Sequence, residues 1–227
     1  MRALILAAGR GRRMRPLTDA TPKPLLPVGG WPLIDWHLSA VARAGMQDVV
    51  INTAWLSEQI MAHVGDGSAW GLRVRYSHEG AEGLETGGGI RRALPLLGKE
   101  PFCVLNGDVW TDFDPAHLPA QPPGLAHLVL VANPAHNLAG DFRLRDDGTV
   151  AADDQGQPLT FAGIGCYDPL LFRDTDDGSF RLAPLLRDAA ARGEVTATQH
   201  RGDWFDIGTP QRLDSVDGYL RRRGVSP

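Results

Sequence analysis

The sequence predicts a three-layer α/β fold, a mixed and mostly parallel sheet flanked by helices. Three observations carry this. Apolar runs of β composition alternate with helical segments through the first half. The early β runs lack polar alternation, as do strands covered on both faces. Two of them empty directly into loops, at Gly9 to Gly11 and at Asp108. In α/β sheets, ligands bind beyond such strand ends, near the point where strand order reverses.

The elements follow in order. Residues 3–8 (ALILAA) read as a buried strand entering a glycine loop. Residues 32–43 read as a helix, with proline near the first turn and Gly45 past the end. Residues 48–52 are the next strand, 57–64 a short helix stopped by glycines, and 72–77 a strand. Residues 86–97 begin as glycine and continue as helix, and strand 102–105 runs straight into Asn106-Gly107-Asp108. In the second half, 127–132 is a strand, 140–144 and 150–152 form a hairpin, and 159–167 is a strand holding two glycines. Residues 182–192 are a helix closed by Gly193, 195–200 a strand and 210–223 the last helix. No internal repeat and no hexapeptide period occurs, so no β-helix appendage is expected. The only linker-like patch, 119–124, is short, and 1–227 reads as one domain with halves at 1–115 and 116–227.

Composition removes several classes of function. The 227 residues carry 23 Lys and Arg against 27 Asp and Glu, a net charge of -4, with 43% apolar residues. That excludes a disordered chain and leaves no electrostatic footprint for nucleic acid. The apolar run at 3–8 is too short for a signal core or a membrane span, so no membrane partner and a cytoplasmic location are expected. Cys103 and Cys166 show no metal spacing and read as small buried hydrophobes.

The strongest local signal is the stretch from Leu6 through Gly9, Arg10, Gly11, Arg12, Arg13 and Arg15 to Thr18. Glycines let backbone N–H groups approach phosphate oxygens, and arginines supply paired donors to the same oxygens. It is neither a Walker A loop nor a complete dinucleotide fingerprint. The bland alternative is a surface turn with solvated arginines. Lys23, in T-P-K-P-L-L-P, rides a track stiffened by prolines and can be aimed at a phosphate. An ordinary exposed lysine fits the spacing equally well. Thr86-Gly87-Gly88-Gly89 offers bare backbone to a flat ring, or else is a helix start capped by Thr86. Asp108 ends a strand, and Asp206 sits in D-W-F-D-I-G-T; two such acids can share one Mg²⁺ with substrate phosphates, or can each be a structural cap. Asp112 and Asp114 read as loop and turn residues, although they match D-x-D formally. The histidines are scattered and pair with no Ser or Cys motif.

Taken together, the opening loop, T-P-K-P-L-L-P, N-G-D and W-F-D-I-G-T resemble the sugar-1-phosphate nucleotidyltransferases, over residues 1 to about 222. The resemblance implies a Rossmann-like nucleotidyltransferase fold and the reaction of an NTP with a sugar 1-phosphate to give an NDP-sugar and pyrophosphate. It assigns 1–115 to the nucleotide and 116–227 to the sugar. Carried over by motif, Gly9 and Gly11 wrap the triphosphate with Leu6, Ala8 and Arg12. Arg13 grips the leaving pyrophosphate, Lys23 steadies the α-phosphate, and Asp108 and Asp206 hold Mg²⁺; Arg13, Lys23 and Asp108 are the catalytic set. Gly87 and Gly88 form the turn beneath the nucleoside, with Glu79 and Thr86 beside it. Asn106 and Gly140 face the sugar, with Asp141 and Asp153.

Two departures from the pattern stand out. Position 12 is Arg where many relatives carry Ser or Thr. The Glu-Lys pair that holds sugar phosphate in thymidylyltransferase relatives is absent, and Asp153 and Asp154 stand near that place without a lysine. The segments N-G-D-V-W-T-D and G-D-F-R-L look nearest to members that use UTP and N-acetylmuramate 1-phosphate in peptidoglycan recycling. Guanylyl transfer to mannose or heptose 1-phosphate is the alternative, and a non-catalytic nucleotide-sugar binder is a second. The implied partners are small-molecule substrates, for a monomer or small homo-oligomer.

Overall fold

The run Ala3-Leu4-Ile5 is fully buried and forms the middle of the central strand, β1 (Arg2–Leu6). The computed structural model describes residues 1–80 and 83–227. After β1 come α1 (Leu17–Ala20), β2 (Pro27–Val28), β3 (Trp31–Pro32), α2 (Leu33–Arg43), β4 (Asp48–Thr53), α3 (Ser57–Val64) and β5 (Arg73–His78). Next are α4 (Glu85–Leu97), β6 (Phe102–Asn106), β7 (Val109–Thr111), β8 (Ala126–Val131), β9 (Phe142–Leu144) and β10 (Val150–Ala151). The chain closes with β11 (Gln157–Tyr167), α5 (Leu182–Ala191), β12 (Val195–Gln199), β13 (Trp204–Asp206) and α6 (Pro210–Arg223).

One nine-stranded sheet runs through both halves in the order β10-β9-β11-β6-β1-β4-β5, with β8 beside β11 and β12 beside β8. β1 pairs in parallel with both β4 and β6, and β4 with β5. β11 is antiparallel to β6, β8 and β9. Strand order therefore reverses at β1, and the crevice beyond its carboxyl end is the expected ligand site.

The pleat explains why β1 shows no polar alternation. Leu4 enters one core with Ile90, Ala93 and Leu97 of α4 and Leu182, Leu186 and Ala189 of α5. Ala3 and Ile5 enter the other, with Ile34, Leu38 and Val41 of α2 and Ile60 and Val64 of α3. These are the three predicted layers. Cys103 and Cys166 are free, fully buried and opposite each other on β6 and β11. Among the described residues no helix is long and apolar enough to cross a membrane.

Two differences from the sequence reading matter. β1 ends at Leu6, because the Ala7 N–H leaves the ladder and donates to Asn52 Oδ1 at 2.6 Å. A ribbon of β7 and β13 was not anticipated; Asp206 lies opposite Val109. Strands of three residues are too short to show a period, and their partner is distant in sequence. The ribbon packs with α6 in a third cluster that includes Trp36, Trp110, Ile207, Leu213 and Leu220.

Candidate active site

A cavity of about 580 Å³ opens at the carboxyl ends of β1 and β6, where strand order reverses. One wall of it is the loop after β1. Gly11 takes φ +60° there, and a Cβ would stand 2.7 Å from Thr18 Cγ2, so only glycine fits. The Gly11 carbonyl accepts from Thr18 Oγ1 and Met14 N, each at 2.8 Å, which tightens the turn. Met14 is buried in the α6 cluster and anchors it.

Gly9 differs from Gly11. A Cβ there would meet nothing within 4 Å, so packing does not ask for glycine, and the bare backbone faces the cavity. The arginines divide as well. Arg10 lies over the Trp55 ring and Arg15 pairs with Asp19 at 3.0 Å. Arg12 and Arg13 line the cavity, are exposed, and make no hydrogen bond or ion pair among the described residues. Leu6 and Ala8 also line it.

Lys23 is not a surface lysine. The prolines on either side bend it into a short 3-10 turn, and it is only 8% exposed. Its Nζ donates to Asp108 Oδ2 at 2.8 Å across the cavity floor. Asp108 stands on the tight turn between β6 and β7, and its carbonyl accepts from Ile207 N at 2.9 Å. The ribbon thus brings the backbone at Asp206 beside Asp108, although Asp206 is not on the cavity wall as Asp108 and Gly208 are. Asp206 Oδ2 accepts from Arg212 Nη1 at 2.6 Å and lies 3.2 Å from His136 Nε2. The other oxygen of each acid, Oδ1, makes no hydrogen bond among the described residues. Two carboxylate oxygens left open fit a hard cation that takes its remaining ligands from phosphates and water, as Mg²⁺ does. No group of three potential ligands occurs among the described residues.

A second network sets another wall of the cavity. Asn52, at the end of β4, accepts from Ala7 and donates to Glu79 Oε1; Glu79 Oε2 accepts from Leu84 N at 2.7 Å. Burial pushes the Glu79 carboxyl up, and these donors work against that rise. Glu79 lines the cavity while its two oxygens hold the wall together. Thr86 also lines it, but α4 starts at Glu85 behind Leu84 without a side-chain cap, so Thr86 does not cap the helix.

Gly87 and Gly88 lie behind this wall, not on it. Their N–H groups donate to the Phe180 carbonyl, at 3.0 and 3.2 Å. A Cβ on Gly87 would run into the Phe180 ring, and one on Gly88 into the Gly178 carbonyl. Gly89 makes room for Glu79 and Asn52. The triple glycine is a packing device that seats segment 178–180, which presents Ser179 to the cavity.

On the sugar side, Asn106 lines the cavity at the end of β6. Gly140 (φ +70°) packs on the Leu159 backbone, and Asp141 accepts from Asn137 Nδ2 and Phe161 N. Both organise loop 133–141 and are not on the cavity wall. Asp153 takes Arg145 and Gln155 N in an exposed turn and is likewise off the wall. Asp114 caps a short turn through Ala116 N, and Asp112 pairs with His200. Asn52, His136, Ser179, Gly208 and Arg212 are site neighbours the sequence reading missed. Asn52, a polar residue closing an apolar strand, carried a readable signal; the others become neighbours only through tertiary packing.

His37 lies buried beneath Asp108, and its Nε2 has no partner among the described residues. Burial holds its pKa down to about 4 from 6.5, with the Asp108 charge opposing. The unfolded chain then binds a proton between those values while the native state does not. Stability is full above pH 6.5 and falls as pH drops toward 4, by up to about 3 kcal/mol. Urea unfolding at pH 7.5 and 5.0 is expected to show this loss in wild type and a smaller one in His37→Asn. Equal losses in the two proteins would refute the assignment.

A glycine-and-arginine loop at the switch point, facing a lysine–aspartate pair, has the charge and bare backbone that phosphate groups require. A family model for nucleotidyl transferases matches residues 2–134, and the chain belongs to that family. It is 51% identical over 94% of its length to N-acetylmuramate alpha-1-phosphate uridylyltransferase of Neisseria meningitidis, covering 95% of that protein. It is 37% identical to the protein of the same name from Caulobacter vibrioides, covering 96% of each. A mannose-1-phosphate guanylyltransferase of Mycobacterium tuberculosis is 41% identical over 99% of this chain and 66% of its own. The fold matches apo UDP-glucose pyrophosphorylase with a TM-score of 0.78 at 19% identity, covering 99% of both chains.

Proposed function

We propose that the protein transfers a uridylyl group from UTP to N-acetylmuramate 1-phosphate, releasing pyrophosphate. The observation that carries the reading is the pair of guanidinium groups, Arg12 and Arg13, without a partner among the described residues, on a bare-backbone loop opposite Lys23 and Asp108. Four anionic oxygens or more can be held there at once. The similarity to two uridylyltransferases of that name supports the choice of base and sugar.

The chemistry needs no general base, because the attacking sugar phosphate is already an oxyanion. Its oxygen bonds to the α-phosphorus while the bond to the bridging oxygen of the β-phosphate breaks, and that oxygen leaves with pyrophosphate. Catalysis is alignment and charge neutralisation. Lys23, held by its proline turn, meets the α-phosphate. Arg13, aided by Arg12, takes the charge that accumulates on pyrophosphate. Asp108 and Asp206 would hold Mg²⁺, which supplies positive charge to the phosphate oxygens when bound. This activity would place the protein in the cytoplasm and in peptidoglycan recycling.

The test is pyrophosphate release with Mg²⁺, crossing five NTPs with N-acetylmuramate, N-acetylglucosamine, glucose, mannose and heptose 1-phosphates. One dominant signal at UTP with N-acetylmuramate 1-phosphate is expected. A dominant signal at GTP with mannose 1-phosphate, the reading favoured by the 41% identical relative, would overturn the substrate assignment and keep the chemistry.

A further inference from the structure

We infer that Arg212 and His136 are positioning residues for Asp206: they hold its Oδ2 from two sides so that Oδ1 stays turned toward the metal. The inference rests on the metal reading above. Both contacts fall on one oxygen, Arg212 Nη1 at 2.6 Å and His136 Nε2 at 3.2 Å. The side chains of Asp206 and Arg212 are only 25% and 29% exposed, so the pair is not a fully solvated one.

The placement of Arg212 breaks a local rule. It stands in the first turn of α6, behind the Thr209 cap and Pro210, where the positive end of the helix dipole disfavours a cation. Broken local rules tend to mark functional positions. Gly208 adds a second observation. A Cβ there would lie 3.1 Å from Arg212 Nη1, 3.2 Å from Asp206 Oδ1 and 3.4 Å from Arg13 Nη2. The acid, its holder and Arg13 thus converge at position 208. His136 adds a third. It arrives on loop 133–141, whose shape is set by Asn133, Asn137, Asp141 and Thr160. The loop assigned to the sugar therefore reaches the metal acid.

Second-sphere partners of metal ligands typically carry tenfold or more in affinity. The experiment measures Mn²⁺ binding to the full chain by the electron-spin resonance of free Mn²⁺, without nucleotide or sugar phosphate, so that neither chelation by UTP nor turnover contributes. Arg212→Gln and His136→Ala are each expected to weaken Mn²⁺ by about tenfold. Arg212→Lys and His136→Gln keep a donor and are expected to recover most of it. His136, 37% exposed on a loop, supplies the readout if Arg212→Gln does not fold. Equal or tighter Mn²⁺ binding in Arg212→Gln and His136→Ala, with Asp206→Asn impaired, overturns the positioning role and leaves the metal site standing. Unchanged binding in Asp206→Asn and Asp108→Asn overturns the metal reading itself.

Discussion

Asp108→Asn is expected to lower turnover about 10³-fold while nucleotide affinity changes by a few fold. The substitution keeps the shape and an oxygen for Lys23 Nζ, which donates to Asp108 Oδ2 at 2.8 Å. It removes one negative charge from the floor of the cavity. Alignment of two phosphates by a cation depends on that charge, and the loss is felt where charge moves, in the transition state. Asp108 is 42% exposed on its side chain, so Lys23 loses only part of its stabilisation and the fold should persist. Single-turnover pyrophosphate release, with UTP binding by calorimetry and a melting curve as control, makes the comparison. Wild-type turnover in the variant would remove Asp108 from the catalytic set. A loss of activity that tracks a collapsed melting temperature would make it structural. A protein that only binds nucleotide sugars would show no turnover to lose.

Gly88→Ala is expected to destabilise the protein by about 2–3 kcal/mol, against the ordinary preference of helices. Inside a helix, alanine exceeds glycine by about 1 kcal/mol. Here the new methyl would run into the Gly178 carbonyl, and backbone cannot rotate away as a side chain can. Overpacking of this kind costs about 1–3 kcal/mol. Displacing segment 178–180 also strains the hydrogen bonds from Gly87 and Gly88 to the Phe180 carbonyl, each contributing about 1 kcal/mol. Ser179 would move with it, so KM for the nucleotide should rise more than kcat falls. Urea midpoints read the first effect and steady-state kinetics the second. A stabilised variant would mean that segment 178–180 yields freely.

Much of the sheet was legible because it is buried on both faces. Apolar runs with no polar alternation can hardly be anything else, and each main-sheet strand read from the first half lies within two residues of its place. Helix 57–64 coincides with its predicted bounds, as does α6, announced by proline at its start. The loop after β1 was legible as a candidate for a chemical reason: glycines and four arginines after a buried strand suit an anionic partner, and the loop does line the cavity. Lys23 was half legible. Its proline track showed rigidity, but only the folded chain set it 2.8 Å from Asp108.

The glycine triple misled because bare backbone serves two ends. It admits a ligand or another stretch of chain, and composition is the same either way. Here segment 178–180, some ninety residues away, takes the space. Gly140, Asp141 and Asp153 behave alike: each is held by its own loop or turn, and the loop that holds Gly140 and Asp141 meets Asp206 through His136.

By itself, then, the sequence determined the layers, the strand ends that border the cavity and the residue types there that suit phosphate, since burial period and local charge are written along the chain. Only the tertiary structure decided that Asp206 stands beside Asp108, that Arg212 and His136 contact its Oδ2, and that Arg12 and Arg13 have no partner among the described residues while Arg10 and Arg15 are engaged. Those are matters of which distant segments pack together, and short ribbons such as β7 with β13 carry no periodic signal of their own.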